Sequence, residues 1–219
     1  MAVFAPFLEN VTLLGGGELT EATVSELLTL APNLVVCDGA ARSALDWGLV
    51  PQWVIGDLDS LAPEARARLD PASIIEIAEQ DTTDFDKALR TISAPLVLGA
   101  GFMGGRLDHE LACYNALVRH AGKRCILVGE HDICFHAAGA VDLALPAGTR
   151  VSLFPMAEVV VTADGLEWPL DRMVLAPWGR VATSNRALAA PVNLRPEGPG
   201  LLVILPRRAL GAAIAAMGA

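Results

Sequence analysis

A chain of 219 residues, 53% of them hydrophobic and 5% aromatic, carries enough apolar mass for one large domain or two small ones and does not read as disordered. Its formal charge of −9 and pI near 4.8 exclude a nucleic-acid binder, which needs a basic stripe; no run of Lys or Arg supplies one. No apolar stretch reaches the roughly 18 residues that cross a bilayer, so no membrane span is expected.

Val11–Leu14 predicts a first strand, ending in Gly15-Gly16-Gly17. A helix pattern follows from Thr20, with Val24, Leu27, Leu28 and Leu30 at helical spacing. Leu34–Cys37 predicts a second strand ending in Asp38-Gly39, and Ala40–Trp47 a helix stopped by Gly48 and Pro51. Trp53–Ile55 predicts a buried third strand that Gly56 cuts off and Asp57-Leu58-Asp59-Ser60 follows at once. A helix over Pro63–Leu69 and a strand at Ile74–Ile77 come next. Gln80-Asp81-Thr82-Thr83-Asp84 then leads into a helix through Phe85, Ala88, Leu89 and Ile92. Leu96–Leu98 is a fifth strand signal, followed by a glycine-rich run to Gly105 and by Arg106-Leu107-Asp108-His109. A further helix to His120 leads to a strand at Cys125–Val128. Six strand signals alternating with helical ones predict an α/β domain with a mostly parallel, doubly wound, Rossmann-like sheet.

After Gly139 the rhythm changes. Short apolar runs recur at Val141–Leu145, Val151–Phe154, Val159–Thr162, Met173–Leu175, Val181–Thr183, Val192–Leu194 and Leu201–Leu205, separated by Pro and Gly with no helical period. That pattern predicts a smaller all-β domain, a sandwich or partial barrel. The expected division is residues 1–137 and 138–219, and the apolar tail Ala209–Ala219 reads as a packed or frayed helix. Cys37, Cys113, Cys125 and Cys134 form no Cys-x-x-Cys pair, and Cys37 and Cys125 stand at apolar strand-like runs, as reduced core cysteines do. Residues 1–10 lack the basic segment of a secretory signal, so the expected compartment is the cytoplasm.

Four strand-to-helix junctions carry carboxylates: Asp38; Asp57 and Asp59; Asp81 and Asp84; and Asp108. In a right-handed parallel sheet these junctions share one edge, so acids far apart in the chain converge in space. Each has a plainer reading. Asp38 and Asp108 fit helix caps, and Asp81-Thr82-Thr83-Asp84 is a capping box as readily as a ligand set. Capping does not account for Asp57 and Asp59 together, because one helix start needs one cap and Ser60 can serve. Two carboxylates so close repel by about 1–4 kcal/mol, depending on the effective dielectric. A divalent cation with phosphate is the usual remedy.

Arg106 fits either a phosphate contact or a salt bridge to a neighbouring acid. Lys87, one turn past Asp84, reaches either phosphate or solvent. Gly15-Gly16-Gly17 allows close approach of a ligand, or marks only a tight turn. His109, His120, His131 and His136 have no zinc spacing, and no Walker A motif is present, which excludes a P-loop kinase. Phosphate transfer from a metal-bound nucleotide is the chemistry that fits.

The run Asp38-Gly39…Asp46-Trp47-Gly48…Pro51…Ile55-Gly56-Asp57-Leu58-Asp59-Ser60 resembles the N-terminal signature of the thiamine pyrophosphokinases. Gln80 through Leu89 and Gly104-Gly105-Arg106-Leu107-Asp108-His109 are similar to the next two motifs of that family. Gly165-Leu166-Glu167-Trp168-Pro169-Leu170 and Thr183-Ser184-Asn185 are similar to its C-terminal ones, so the resemblance covers most of the chain in order.

The resemblance implies an enzyme that transfers the pyrophosphoryl group of ATP to the hydroxyl of thiamine, releasing AMP. It also implies a homodimer with thiamine at the subunit interface. By motif, Asp57, Asp59 and Asp84 hold Mg²⁺ and the ATP phosphates, Arg106 contacts phosphate, and Asp108 lies near the thiamine hydroxyl or a second metal. Asp38, Gly39, Arg42, Gln80, Asp81, Lys87, Gly104 and Gly105 carry over as nucleotide-binding positions, and Thr183, Ser184 and Asn185 as part of the thiamine pocket. Without the resemblance, those last three read as a polar turn between strands. Asp108, beside Gly104-Gly105-Arg106, is the candidate general base. The family commonly has Gly-Gly-Ala-Asn-Arg after the first Asp; here Gly39-Ala40-Ala41-Arg42-Ser43 loses the Asn-Arg pair and sets Arg42 one position earlier.

Three rivals compete. A signalling receiver domain needs an acidic pair after its first strand, where this chain has Gly15-Gly16-Gly17-Glu18. A non-catalytic thiamine or nucleotide sensor would have lost the metal-binding acids. A metal-dependent phosphohydrolase would use the same acids for hydrolysis. Trp168 and Trp178 either stack on a pyrimidine ring or sit in the β core.

Overall fold

The structure, a computed structural model, describes residues 6–188 and 190–218. The chain divides into two compact units, Met1–Ala116 and Leu117–Ala219. The first contains β1 (Val11–Leu14), α1 (Glu21–Leu30), β2 (Asn33–Cys37), α2 (Ala41–Asp46), β3 (Trp53–Gly56), α3 (Pro63–Arg66), β4 (Ile74–Glu76), α4 (Asp84–Thr91), β5 (Val97–Ala100) and the start of α5 (Leu107–Arg119).

Its strands run β5-β1-β2-β3-β4, and every neighbouring pair is parallel. They are short runs of Val, Leu and Ile without polar alternation, which suits strands covered on both faces. Leu13, Leu14, Val35, Val36, Val54, Ile55 and Leu98 are all sealed from solvent. The one hydroxyl among them, Thr12, donates to the Ala31 carbonyl at 2.7 Å. Thr20 caps α1 by accepting from the Thr23 N–H, and Thr83 caps α4 by accepting from Asp86. Helix α3 is one turn, shorter than the Pro63–Leu69 expected. Asp70-Pro71 follows, a residue before proline is steered out of the helical region, and Asp70 instead caps a tight turn through the Ala72 N–H.

The second unit is antiparallel throughout its sheets. One sheet runs β12 (Ala182–Arg186), β9 (Arg150–Pro155), β14 (Leu201–Pro206), β7 (Asp132–Ala137), β6 (Cys125–Val128). The other runs β11 (Leu170–Leu175), β10 (Val159–Asp164), β13 (Val192–Pro196), β8 (Val141–Leu143). All seven apolar runs after Gly139 are strands. An eighth, β7, was not read from the sequence. It pairs with β6 across a tight connection closed by Gly129 N–H to the Asp132 carbonyl at 2.9 Å. The tail is a packed helix, α6 (Leu210–Ala216), with Leu210 and Ala213 buried.

β7 also carries a buried His136, whose Nε2 accepts the Gly200 N–H at 2.8 Å. Burial pulls its imidazole below the usual value, so it is stable as the neutral ring. The stability this contributes is fully present above the unfolded-state value near 6.5 and is lost as pH falls through the lower folded value. Denaturant titrations from pH 7.5 to 5 are expected to show decreasing stability, and His136→Gln, which keeps an acceptor, should flatten that slope.

Among the described residues no helix is long and apolar enough to cross a membrane. None of the four cysteines forms a disulfide, and all are buried.

Candidate active site

Strands β1 to β4 step one way across the parallel sheet, and β5 lies on the other side of β1. Loops after β1 and β5 therefore leave in opposite directions, and ligand crevices of open α/β sheets form at such a reversal. A cavity of about 1060 Å³ lies there, lined by Gly15–Gly17, Asp38, Gly39, Asp57, Asp59, Gln80, Asp84, Lys87, Gly101, Phe102 and Arg106 among others.

The glycine run after β1 is explained first by its neighbour. Gly15 and Gly17 donate to the Ala100 and Gly101 carbonyls at 2.8 and 3.0 Å. A Cβ on Gly17 would stand 2.6 Å from the Gly101 oxygen, and one on Gly15 2.4 Å from the Phe102 ring. Side chains are excluded because two backbones touch.

Around the acids, Asp57 Oδ2 accepts from Lys87 Nζ at 2.8 Å and from Gln80 Nε2 at 3.1 Å, and Lys87 also reaches Asp84 Oδ1 at 3.1 Å. Lys87 is 1% exposed. Burial alone would lower its pKa, but the hydrogen bonds it donates to Asp57 and Asp84 outweigh that and the net shift is upward. In return the Lys87 hydrogen bond holds the Asp57 carboxyl down at about 2. Asp84 opens α4, where the helix N-terminus favours a negative charge. Asp59 is exposed and accepts from the Ser60 hydroxyl at 2.9 Å.

One oxygen each of Asp38, Asp57 and Asp59 lies within 4.8 Å of the others. Hard carboxylate oxygens so grouped suit a hard divalent cation such as Mg²⁺. Asp84, placed by motif with Asp57 and Asp59, joins this group through Lys87.

The remaining candidates divide. Gly105 and Arg106 line the cavity; Arg42, Asp81, Gly104 and Asp108 do not. Arg42 is 76% exposed on α2 and pairs with Asp46 at 3.7 Å. Arg106 and Asp108 form a two-pronged pair, Nε to Oδ1 at 3.2 Å and Nη2 to Oδ2 at 2.7 Å, so Arg106 takes the salt-bridge reading here. Its hydrogen bond keeps the Asp108 carboxyl below the usual range. Cys37, Thr82, Thr83, His109 and Cys113 line the cavity without having been singled out for it. Burial pushes the Cys37 thiol well up and Cys113 to about 12, which keeps both inert.

Two family models match the chain: "Thiamin pyrophosphokinase, catalytic domain" over residues 24–128, and "Thiamin pyrophosphokinase, vitamin B1 binding domain" over residues 137–194. The chain belongs to the thiamine pyrophosphokinase family. Thiamine pyrophosphokinase 1 of Oryza sativa subsp. japonica is 30% identical over 161 residues, covering 62% of this chain and 58% of the relative. The chain thus aligns with less than two thirds of that relative's length. The thiamine pyrophosphokinase of Bacillus subtilis (strain 168) is 27% identical over 163 residues, covering 69% of this chain and 76% of its own. Among solved structures, thiamin pyrophosphokinase from Candida albicans superposes with a TM-score of 0.77 at 17% identity, over 91% of this chain and 89% of that one. The protein from Geobacillus thermodenitrificans gives 0.73 at 23% identity, over 90% and 96%. These superpositions establish the fold.

The three family positions in the second unit sit on β12, whose pairing with β9 shifts between Ala182 and Asn185. That bulge turns Thr183 and Ser184 out to solvent, with Ser184 at φ 61° and its N–H on the Ser152 hydroxyl at 2.9 Å. Asn185 is buried and uses its amide locally. Its Nδ2 donates to the Trp168 carbonyl at 2.7 Å, and its Oδ1 accepts from the Trp168 and Arg186 N–H groups at 3.2 and 2.8 Å. Trp168 and Trp178 are 55% and 76% exposed, so neither is a core residue in this chain.

Proposed function

We propose that this chain is a thiamine diphosphokinase, transferring the pyrophosphoryl group of ATP to the hydroxyl of thiamine to give thiamine diphosphate and AMP. The observation that carries this reading is the gathering of Asp38, Asp57, Asp59 and Asp84 from three separate segments at one cavity, two of them bonded to a buried lysine, within the span that the family's catalytic model matches. We read the first unit as a doubly wound, Rossmann-like domain and the second as a β-sandwich. Functionally, residues 1–137 would bind ATP, and residues 138–219 would bind thiamine and dimerise.

In this proposal Asp57, Asp59 and Asp84 hold Mg²⁺, which when bound neutralises charge on the phosphate oxygens. Asp38, Gly39, Gln80, Lys87 and Gly105 border the nucleotide, and Arg106 turns its guanidinium to phosphate. Arg42, Asp81 and Gly104 do not line the cavity, and no contact is assigned to them; Asp108 is also outside the lining but is bonded to Arg106, which is part of it. The thiamine oxygen attacks the β-phosphorus, the bond from that phosphorus to the α-phosphate bridging oxygen breaks, and AMP departs. Asp108, kept ionised by Arg106, accepts the hydroxyl proton. Thr183 and Ser184 offer hydroxyls to thiamine, while Asn185 acts through Trp168. A homodimer with thiamine at the interface would cover the exposed tryptophans, and four cysteines without a disulfide suit a reducing cytoplasm.

Incubation with ATP, Mg²⁺ and thiamine is expected to yield thiamine diphosphate and AMP in equal amounts. Inorganic phosphate released without thiamine would indicate a hydrolase, and ligand binding without turnover a sensor. Asp108→Asn should lower kcat by about 10²–10⁴-fold, the usual contribution of a positioned base. Near-full turnover of that variant, with unchanged metal dependence, would remove Asp108 from the role.

A further inference from the structure

We infer that Asp38 acts through the backbone, as the positioning residue that holds the Gly56–Ser60 loop so that Asp57 and Asp59 face the cavity. It goes beyond the proposed function in giving Asp38 a role other than nucleotide or metal contact, and it rests on that reading only for the importance of the cation.

The argument starts from strand register. Cys37 pairs with Ile55, so the next residue of β2, Asp38, comes alongside Gly56. Its side chain is turned inward and is 2% exposed. Both oxygens are engaged by main chain: Oδ1 accepts from Gly39 N–H at 2.7 Å, and Oδ2 from Leu58 N–H at 2.8 Å.

The loop is shaped to this carboxylate at two further points. A Cβ on Gly56 would lie 2.6 Å from both Cγ and Oδ2 of Asp38, so glycine is required there by the packing of Asp38. Leu58 stands at φ 67°, a left-handed conformation that a leucine rarely adopts without an external hold. The shortest hold on it is the bond from its N–H to Asp38 at 2.8 Å; Leu61 N–H to the Leu58 carbonyl and Asp59 N–H to Asp57 Oδ1 are longer, both at 3.3 Å. The residue on either side of Leu58 is an acid whose direction follows from that turn. This also accounts for the Gly-Asp-Leu-Asp order: glycine makes room for the clasp, and leucine receives it.

The competing role is direct ligation, since an Asp38 oxygen lies within 4.8 Å of oxygens of Asp57 and Asp59. The two roles respond differently to the loop backbone. A missing ligand is not replaced by a more compliant loop. A missing clasp is, because glycine at position 58 adopts positive φ without help.

The test measures Mn²⁺ binding by electron paramagnetic resonance, without substrates, in wild type, Asp38→Asn, Asp38→Asn/Leu58→Gly and Gly56→Ala. Asparagine has one acceptor where the carboxylate has two, so one backbone N–H loses its partner. Asp38→Asn is expected to weaken Mn²⁺ binding by about 10–100-fold, as loss of a supporting contact does. Adding Leu58→Gly should recover most of that loss. Gly56→Ala keeps every acid but displaces the Asp38 carboxylate, and should weaken binding like Asp38→Asn. A loss that Leu58→Gly does not recover, or wild-type affinity in Gly56→Ala, would overturn the inference, as would a wild type that binds no Mn²⁺. Should Asp38→Asn not fold, Gly56→Ala with and without Leu58→Gly decides the matter. Thiamine-dependent AMP release by the wild type is assayed in parallel: its absence counts against the proposed function, and the Mn²⁺ comparison still judges Asp38.

Discussion

Lys87→Met is expected to destabilise the protein by about 2–4 kcal/mol at pH 7 without added metal. Breaking a buried ion pair by removing one partner costs about 3–5 kcal/mol, reduced here because Asp84 keeps 34% of its side chain in solvent. Lys87 itself is 1% exposed and bridges Asp57 and Asp84, so methionine keeps much of the packing but leaves the two carboxylates without their cation. For a chain of this size that corresponds to roughly 5–15 °C in Tm, readable by circular dichroism.

Two linked effects identify the cause. Millimolar Mg²⁺ should restore more Tm to the variant than it adds to wild type, because a bound cation stabilises the folded state by mass action. In wild type the pair's contribution is complete above the ordinary carboxylate value near 4, and is lost as pH falls toward the Asp57 value of about 2. Lys87→Met should lack that acid limb. A Tm within 2 °C of wild type would mean that the buried lysine is not a structural counter-ion.

Asp59→Asn is expected to abolish most turnover and leave folding alone. Asp59 is exposed, accepts from the Ser60 hydroxyl, and is not a partner of Lys87, which pairs with Asp57 and Asp84. If it is a cation ligand in the proposed transfer, losing several kcal/mol of charge stabilisation lowers kcat by about 10²–10³-fold, since 1.36 kcal/mol is tenfold. Tm measured in EDTA should be unchanged, and the Mg²⁺ concentration for half-maximal rate should rise. Asp57→Asn makes the informative contrast, because it removes a candidate ligand and a Lys87 partner together and should lower both turnover and Tm. Full activity in Asp59→Asn at low Mg²⁺ would place the cation elsewhere.

Much of this architecture was legible one residue at a time. Runs such as Val35-Val36 and Val54-Ile55 have no polar alternation, and only burial on both faces accommodates them, so parallel strands followed. Acids just past those strands could then share one sheet edge, and Asp38, Asp57, Asp59 and Asp84 do line one cavity. Strand β7 escaped notice because Asp132–Ala137 mixes Ile, Cys, Phe and His without a period, and its pairing with β6 is a long-range fact. Arg42 and Asp81 share their motifs with site residues, yet helix α2 turns Arg42 to solvent and Asp81 does not line the cavity.

What the sequence determined by itself was which segments other than β7 are strands, that acids follow them, and which family their order belongs to, because periodicity and motif spacing are local properties. What only the tertiary structure decided was the partnership of each charge. Lys87 could be read as reaching phosphate or solvent, and it lies buried at the cavity, bonded to two aspartates; Asp38 could be read as a cap, and its second oxygen accepts from the neighbouring loop. Electrostatics and hydrogen bonding act over a few ångströms in space, and residues 20 to 30 positions apart come within that range only once the sheet has formed.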